Sequence, residues 1–163
     1  MYLYQIEDLL RAFQLDIDLV TKQLVANYQV DEKTSVEIVG WYTNLILMME
    51  KEGIREKGHL QFLTNQIQEV NEFHLKLMET GKDKMYVKYF SAVKILISEL
   101  NTKNNSAAND IQTSLDAIYG YLLLKLQKKN ISSETTDAVK RLSSWLSSLS
   151  KLYKDFEAGE LDF

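Results

Sequence analysis

The chain of 163 residues contains no cysteine, no proline and only two histidines. The absence of cysteine excludes disulfide bonds, thiolate zinc sites and thiol nucleophiles. The absence of proline removes the residue that interrupts helices most strongly. No apolar run approaches the roughly 20 residues that a membrane-spanning helix needs, so we expect no membrane segment.

The composition is that of one ordinary globular domain. Hydrophobic residues make up 45% of the chain and charged residues 26%, far from the composition of disordered proteins. We therefore predict a single helical-bundle domain over residues 1–163. The segment after Met1 has neither a basic region nor a continuous apolar stretch, so we expect no signal peptide and a cytoplasmic location.

Apolar residues recur at spacings of three and four along nearly the whole sequence, which is the period of amphipathic helices. The predicted fold class is all-α, with about six helices in a mostly up-down antiparallel bundle. The fifth helix is apolar on most sides, which predicts a central position. The predicted helices cover about 2–27, 33–52, 84–101 and 110–129. Between the second and third of these ranges, a further helix begins within 54–58 and ends at about 79. The last predicted helix follows Ser132.

Charge is distributed unevenly along the chain. Residues 1–53 hold nine acids and four bases, whereas residues 120–154 hold two acids and seven bases. The net charge of −4 disfavours nucleic acid as a partner. We interpret the basic segment as a solvated helix face, with a polyanion-binding stripe as the less favoured alternative.

The densest polar cluster spans residues 52–59, at the predicted turn between the second and third helices. Arg55, Glu56 and His59 are its candidate ligand-binding residues. If the third helix begins at Gly58, its free N–H groups beside Arg55, Lys57 and His59 suit a carboxylate or a phosphate. A plain connection with a glycine cap and exposed ion pairs is the favoured alternative.

The start of the first helix carries a second polar group, in which Glu7 and Arg11 are four residues apart. This spacing predicts an ion pair on the helix surface. If the helix is central instead, the same residues form a buried network or line a pocket. In the latter arrangement Glu7 and Arg11 would complete the candidate site.

Histidine is too scarce for the metal sites typical of helical bundles. Glu56 and His59 have the Glu-x-x-His spacing of di-iron proteins, but a dinuclear site needs a second such motif, which the chain lacks. We predict no metal and no cofactor. His74 occupies an apolar position of its helix, which favours a buried histidine bonded to a tyrosine hydroxyl or a carbonyl over a general base or a ligand-binding group.

Gly40 and Gly120 lie inside predicted helices, where glycine costs about 1 kcal/mol relative to alanine. We expect a close helix crossing at each of them, with a ligand against the bare backbone as the less favoured alternative.

Four segments resemble a bacterial family of small helical proteins that is catalogued as a domain of unknown function. The resemblance runs from residue 2 to the end of the chain and is carried by residues 4–18, 52–61, 119–129 and 159–161. It implies an all-helical fold and, since such proteins usually carry further residues upstream, a native first helix that is longer than the one in this chain. It brings no reaction, ligand or catalytic residue.

Two functions are compatible with these patterns. The favoured one is a non-enzymatic helical bundle that acts through protein–protein contacts, with self-association into a homo-oligomer. The alternative is a protein that binds a small molecule or an anion, including an enzyme, with a site formed by Arg55, Glu56, His59, Glu7 and Arg11.

Overall fold

The computed structural model describes residues 1–104 and 108–163. Within these ranges the chain forms eight α-helices, one short 3-10 helix at Val25–Asn27 and no strand. The prediction of an all-α fold is therefore confirmed. The helices are α1 (Tyr2–Ala12), α2 (Ile17–Gln23), α3 (Glu32–Lys51), α4 (Gln61–Thr80), α5 (Lys84–Ser91), α6 (Lys94–Lys103), α7 (Asp110–Leu126) and α8 (Ser133–Glu157).

The prediction of one continuous helix over residues 2–27 is wrong. The chain turns after Ala12, with Gln14 and Leu15 at positive φ angles of 57° and 60°. The N–H of Leu15 donates to the carbonyl of Leu10 at 2.9 Å, which closes α1 in the manner of a helix C-terminus. Asp16 then caps α2 by accepting hydrogen bonds from two N–H groups of its first turn.

The predicted helix over residues 84–101 is also divided, into α5 and α6. The interruption falls at Ala92 and Val93, where the Val93 N–H donates to the carbonyl of Phe90 at 2.9 Å. No side chain caps α6. The division keeps Phe90, Val93 and Ile97 all buried. These two divisions explain why the described residues form eight α-helices where the sequence predicts about six.

The predicted range 33–52 and the predicted helix after Ser132 agree closely with α3 and α8. Asp31 caps α3, Ser132 caps α8, and Gly53 follows α3 at a positive φ of 71°. The predicted start of the third helix within residues 54–58 is wrong, because α4 begins at Gln61. Of the predicted loop over residues 101–110, the part at 105–107 lies outside the described residues.

The chain divides into two compact units, Met1–Thr64 and Asn65–Phe163. A single domain over the whole chain stays a prediction. The first unit holds α1 to α3 and the first turn of α4. Its core is an apolar cluster that includes Leu10, Val20 and Met49, each fully enclosed.

The second unit holds the rest of α4 and α5 to α8. Its core is centred on the buried residues Leu77, Tyr86, Ile97, Leu142, Trp145 and Leu149. The prediction that the fifth helix is central is wrong: after Ser114, no residue of α7 is fully buried. No helix in the described ranges is long and apolar enough to span a membrane.

The expected close crossings at the two helical glycines are also wrong within the described residues. No heavy atom beyond the helix backbone and the chain neighbours lies within 4 Å of a Cβ placed on Gly40 or on Gly120. Both positions therefore present open helix surface in this chain.

Candidate functional site

Three of the five predicted site residues converge in the first unit. Glu7 and Arg11 lie on α1, one turn apart, and both contact the segment that joins α3 to α4. His59, near the end of that segment, contacts Glu7. The sequence analysis predicts this grouping for the case in which the first helix packs alongside the turn.

Glu7 is almost fully buried, and both of its carboxylate oxygens are engaged. Oε1 accepts a hydrogen bond from the Leu60 N–H at 2.8 Å, and Oε2 lies 2.6 Å from Nδ1 of His59. These contacts hold the entrance of α4 against α1. Glu7 therefore acts as a helix cap supplied from a distant part of the chain.

His59 is held on two sides. Its ring stacks on Tyr4 with centroids 3.9 Å apart and an interplanar angle of 16°. The Glu7 carboxylate at Nδ1 favours the tautomer with the proton on that nitrogen. Nε2 makes no hydrogen bond within the described residues, and 28% of the side chain is exposed. The arrangement orients a histidine nitrogen that remains available as a base or a ligand.

Arg11 binds the main chain of the connecting segment. Its guanidinium donates to the carbonyl of Ile54 through two nitrogens, at 3.3 Å each, and to the carbonyl of Gly58. Nη1 also donates to Asp8 at 2.9 Å. The predicted surface pair between Glu7 and Arg11 is therefore wrong, since Arg11 pairs with Asp8 and Glu7 with His59.

Gly58 allows the segment to close around Arg11. Its φ of 95° lies in the region that glycine favours, and a Cβ there would approach Cγ2 of Ile54 at 3.2 Å. The carbonyls of Ile54 and Gly58 thereby meet at one guanidinium. A positive charge at this point satisfies two carbonyl oxygens that have no helix to bond to.

Arg55 and Glu56 lie apart from this group. Both are exposed, and Arg55 forms an ion pair with Glu50 at the end of α3. An exposed pair of this kind contributes little to stability. A ligand-binding role for Arg55 and Glu56 stays a prediction.

The N–H groups at the start of α4 are already bound by the chain's own carboxylates. Glu7 accepts from Leu60, and Glu52 accepts from the Gln61 N–H at 2.7 Å. The predicted anion site requires these donors to be free. Two of the donors at this end therefore bond within the chain, and the anion site stays a prediction.

His74 forms a second polar group, in the core of the second unit. Nδ1 lies 2.6 Å from the Tyr86 hydroxyl, and the ring packs against Phe90 and Trp145. Nε2 lies 3.8 Å from a carboxylate oxygen of Asp110. Burial raises the pKa of Tyr86. The prediction of a buried histidine satisfied by a tyrosine hydroxyl is confirmed.

Metal-ligating residues do not gather in the part of the chain that the structure describes: no three His, Asp or Glu side chains form a group that suits a metal ion. Glu52, Glu56 and His59 are four and three residues apart in the sequence, a spacing that could bring three ligands to one metal ion on a continuous helix. In the structure Glu52 and His59 make other contacts, and Glu56 is exposed.

Comparison with protein families gives one match. A family model described as a domain of unknown function, DUF4924, covers residues 1–160. The chain belongs to the DUF4924 family. Comparison with curated proteins and with solved structures found no match for it.

In this DUF4924 chain, residue roles therefore come from geometry alone. Sequence reasoning missed Tyr4, whose ring supports His59, and the main-chain groups of Ile54, Gly58 and Leu60. A tyrosine one turn before Glu7 on the same helix face is a signal that points to Tyr4. The main-chain partners have no such signal, because every residue carries the same backbone groups.

Proposed function

We propose that this chain is a non-enzymatic helical protein that acts through protein–protein contacts, including self-association. The observation that carries the proposal is the second half of α7. From Leu115 to Leu126 it contains nine apolar residues, one glycine and only two charged residues, yet none of them is fully buried. Leu126 is 68% exposed.

A helix that is apolar on all sides is normally enclosed by its surroundings. Here α6 and α8 are the neighbours of α7, and they leave its surface half-covered. Exposed apolar surface of this extent on a folded domain is typical of a region that a partner covers. Association would remove it from water at a gain of roughly 25 cal/mol per Å².

The experiment is light scattering on the purified chain over a wide range of concentrations, combined with affinity capture by the tagged chain. We expect a mass above that of the 18.9 kDa monomer, or a captured partner that depends on α7. Leu126→Lys should weaken either contact, with Lys140→Ala, an exposed change on α8, as the control. A strict monomer that captures nothing contradicts the proposal.

The second candidate is a small-molecule or anion site at His59. It is favoured by one observation: a buried carboxylate, Glu7, fixes Nδ1, while Nε2 is not hydrogen-bonded within the described residues. Pairs of this kind orient a histidine that acts as a base or a ligand. Arg11, in contrast, is already committed to carbonyl oxygens.

A thermal-shift screen against organic acids, phosphates, nucleotides and divalent metals tests this candidate. A ligand at about 100 times its Kd adds about 2.7 kcal/mol of stability. We expect any such shift to be lost in His59→Ala and kept in Arg55→Ala, which removes an exposed cation from the same segment. A shift that His59→Ala leaves unchanged contradicts a site at this residue.

The remaining sequence predictions support no separate function. The up-down bundle arrangement, the bacterial origin and the cytoplasmic location stay predictions. The basic residues 120–154 are mostly exposed on α8 and after α7, which agrees with a solvated face.

A further inference from the structure

A groove of about 700 Å³ runs between α6, α7 and α8, along the apolar half of α7. Its floor is formed by small residues, among them Ala117, Gly120 and Ala138. Above Gly120 the helix surface is open, since a Cβ there would meet nothing within 4 Å. The glycine therefore leaves a hollow that no part of the described chain fills.

The same groove has a projecting apolar side chain on one wall. Ile95 of α6 lines it and is 73% exposed, the largest exposed fraction among the large hydrophobic residues of the described chain. Leu124 of α7 adds a second half-exposed side chain at the floor. One surface thus carries both a knob and a hole, as a two-fold symmetric contact between identical chains requires.

The charges around the groove are balanced. Glu99 and Lys103 lie on the α6 wall, and Glu134 and Arg141 lie on the α8 wall. Each wall has one acid and one base, so the rim carries no net charge and does not repel a second copy of itself. A nucleic acid or a strongly charged protein would favour a rim of one sign.

We infer that a second copy of this chain occupies the groove, with Ile95 of each copy inserted over Gly120 of the other. This inference rests on the proposed function and names its partner and its surface. Glycine at position 120 is then explained: the cost of about 1 kcal/mol in helix propensity is offset by room for the partner's side chain. Only residues of the second unit take part.

The test uses four variants of the full chain and light scattering with sedimentation. Ile95→Arg removes the knob, and Gly120→Leu fills the hole. Each has a matched control on α3 in the first unit: Val36→Arg, at a valine that is 67% exposed, and Gly40→Leu, at the other open helical glycine. A Cβ placed on either glycine meets nothing within 4 Å, and Ile95 and Val36 are mostly exposed, so we expect the fold to tolerate the changes.

We expect the molecular mass of the wild type in solution to reach that of a dimer, twice 18.9 kDa, and the two control variants to have the same mass as the wild type. Ile95→Arg and Gly120→Leu should each raise the dimer Kd by roughly tenfold or more, the effect of losing an interface anchor. Circular dichroism and thermal denaturation of each variant confirm folding.

Three outcomes overturn the inference. In the first, the chain is an oligomer, but Ile95→Arg and Gly120→Leu weaken it no more than their controls do. The oligomer then uses another surface, and the proposed function stands. A monomer that captures a different protein through this groove also leaves the proposed function in place, with a different occupant. A monomer that captures nothing removes both.

Discussion

Replacement of Glu7 by alanine should be among the most destabilising single changes in the first unit. The substitution leaves the Leu60 N–H buried without an acceptor, which costs about 1–3 kcal/mol. It also removes a charged partner from His59, and hydrogen bonds to charged groups contribute about 1.5–3 kcal/mol. Together we expect a loss of about 3–5 kcal/mol in the free energy of unfolding, the range seen when one member of a buried pair is removed.

The matched control is Glu52→Ala. Glu52 accepts from the next N–H along the chain, that of Gln61, at nearly the same distance as Glu7 accepts from Leu60, but it is exposed. Water can replace its carboxylate, so we expect a loss of about 1 kcal/mol, the usual effect of an exposed helix cap. The difference between the two variants isolates the contribution of burial.

Urea denaturation of the wild type, Glu7→Ala, Glu7→Gln and Glu52→Ala measures these values. Glutamine retains an acceptor for Leu60 but not the charge opposite His59, so Glu7→Gln should fall between the wild type and Glu7→Ala. Equal losses for Glu7→Ala and Glu52→Ala, or a loss below 1 kcal/mol for the former, would refute the view that this buried carboxylate holds α4 against α1.

Three further predictions concern other parts of the chain. Tyr86→Phe leaves Nδ1 of His74 without its hydroxyl partner, and the free energy of unfolding in urea should fall by about 1–3 kcal/mol; no change would mean that another group satisfies His74. Gly58→Ala should destabilise the protein by about 1–2 kcal/mol, because Gly58 has a positive φ. Gly40→Ala should stabilise it by about 1 kcal/mol, because Gly40 lies in a helix with open space around it. If both variants shifted the melting temperature in the same direction, this account of the two glycines would be contradicted. Burial raises the pKa of Tyr42 and of Tyr86, so the folded state retains protons that the unfolded state loses above pH about 10. The contribution of these two tyrosines to stability should be constant below that pH and fall above it, with a smaller fall in Tyr42→Phe; a rise would contradict the sign.

Part of the candidate site is predictable from sequence because of where its charges lie. Glu7 follows Ile6 on α1, His59 precedes Leu60 in the segment before α4, and the structure joins the two side chains across 52 residues. Arg55 and Glu56 were selected for the charge density of their segment, which says nothing about the direction of a side chain, and both are exposed. The guanidinium of Arg11 bonds to carbonyl groups, and these are invisible to any reading of residue types.

The spacing of apolar residues indicates which face of a helix is buried. It does not reveal a turn between two helices when both helices bury the same stripe of residues. The stripe containing Leu10, Phe13 and Ile17 continues across the turn at Gln14–Leu15, because positive φ angles redirect the backbone while Leu15 itself enters the core. Asp16, the cap of α2, is the one local signal of that break.

The misplacement of α7 has a different physical origin. A helix without a polar face must be covered, and periodicity cannot tell whether the cover comes from the same chain or from another. The structure leaves Gly120 open and Leu126 exposed on α7, and Ile95 of α6 is exposed at the groove that Gly120 lines. The sequence of α7 predicts a buried helix, but the described chain covers its apolar surface only in part. This one fact explains both the wrong prediction of a central helix and the inference that a second copy docks in the groove.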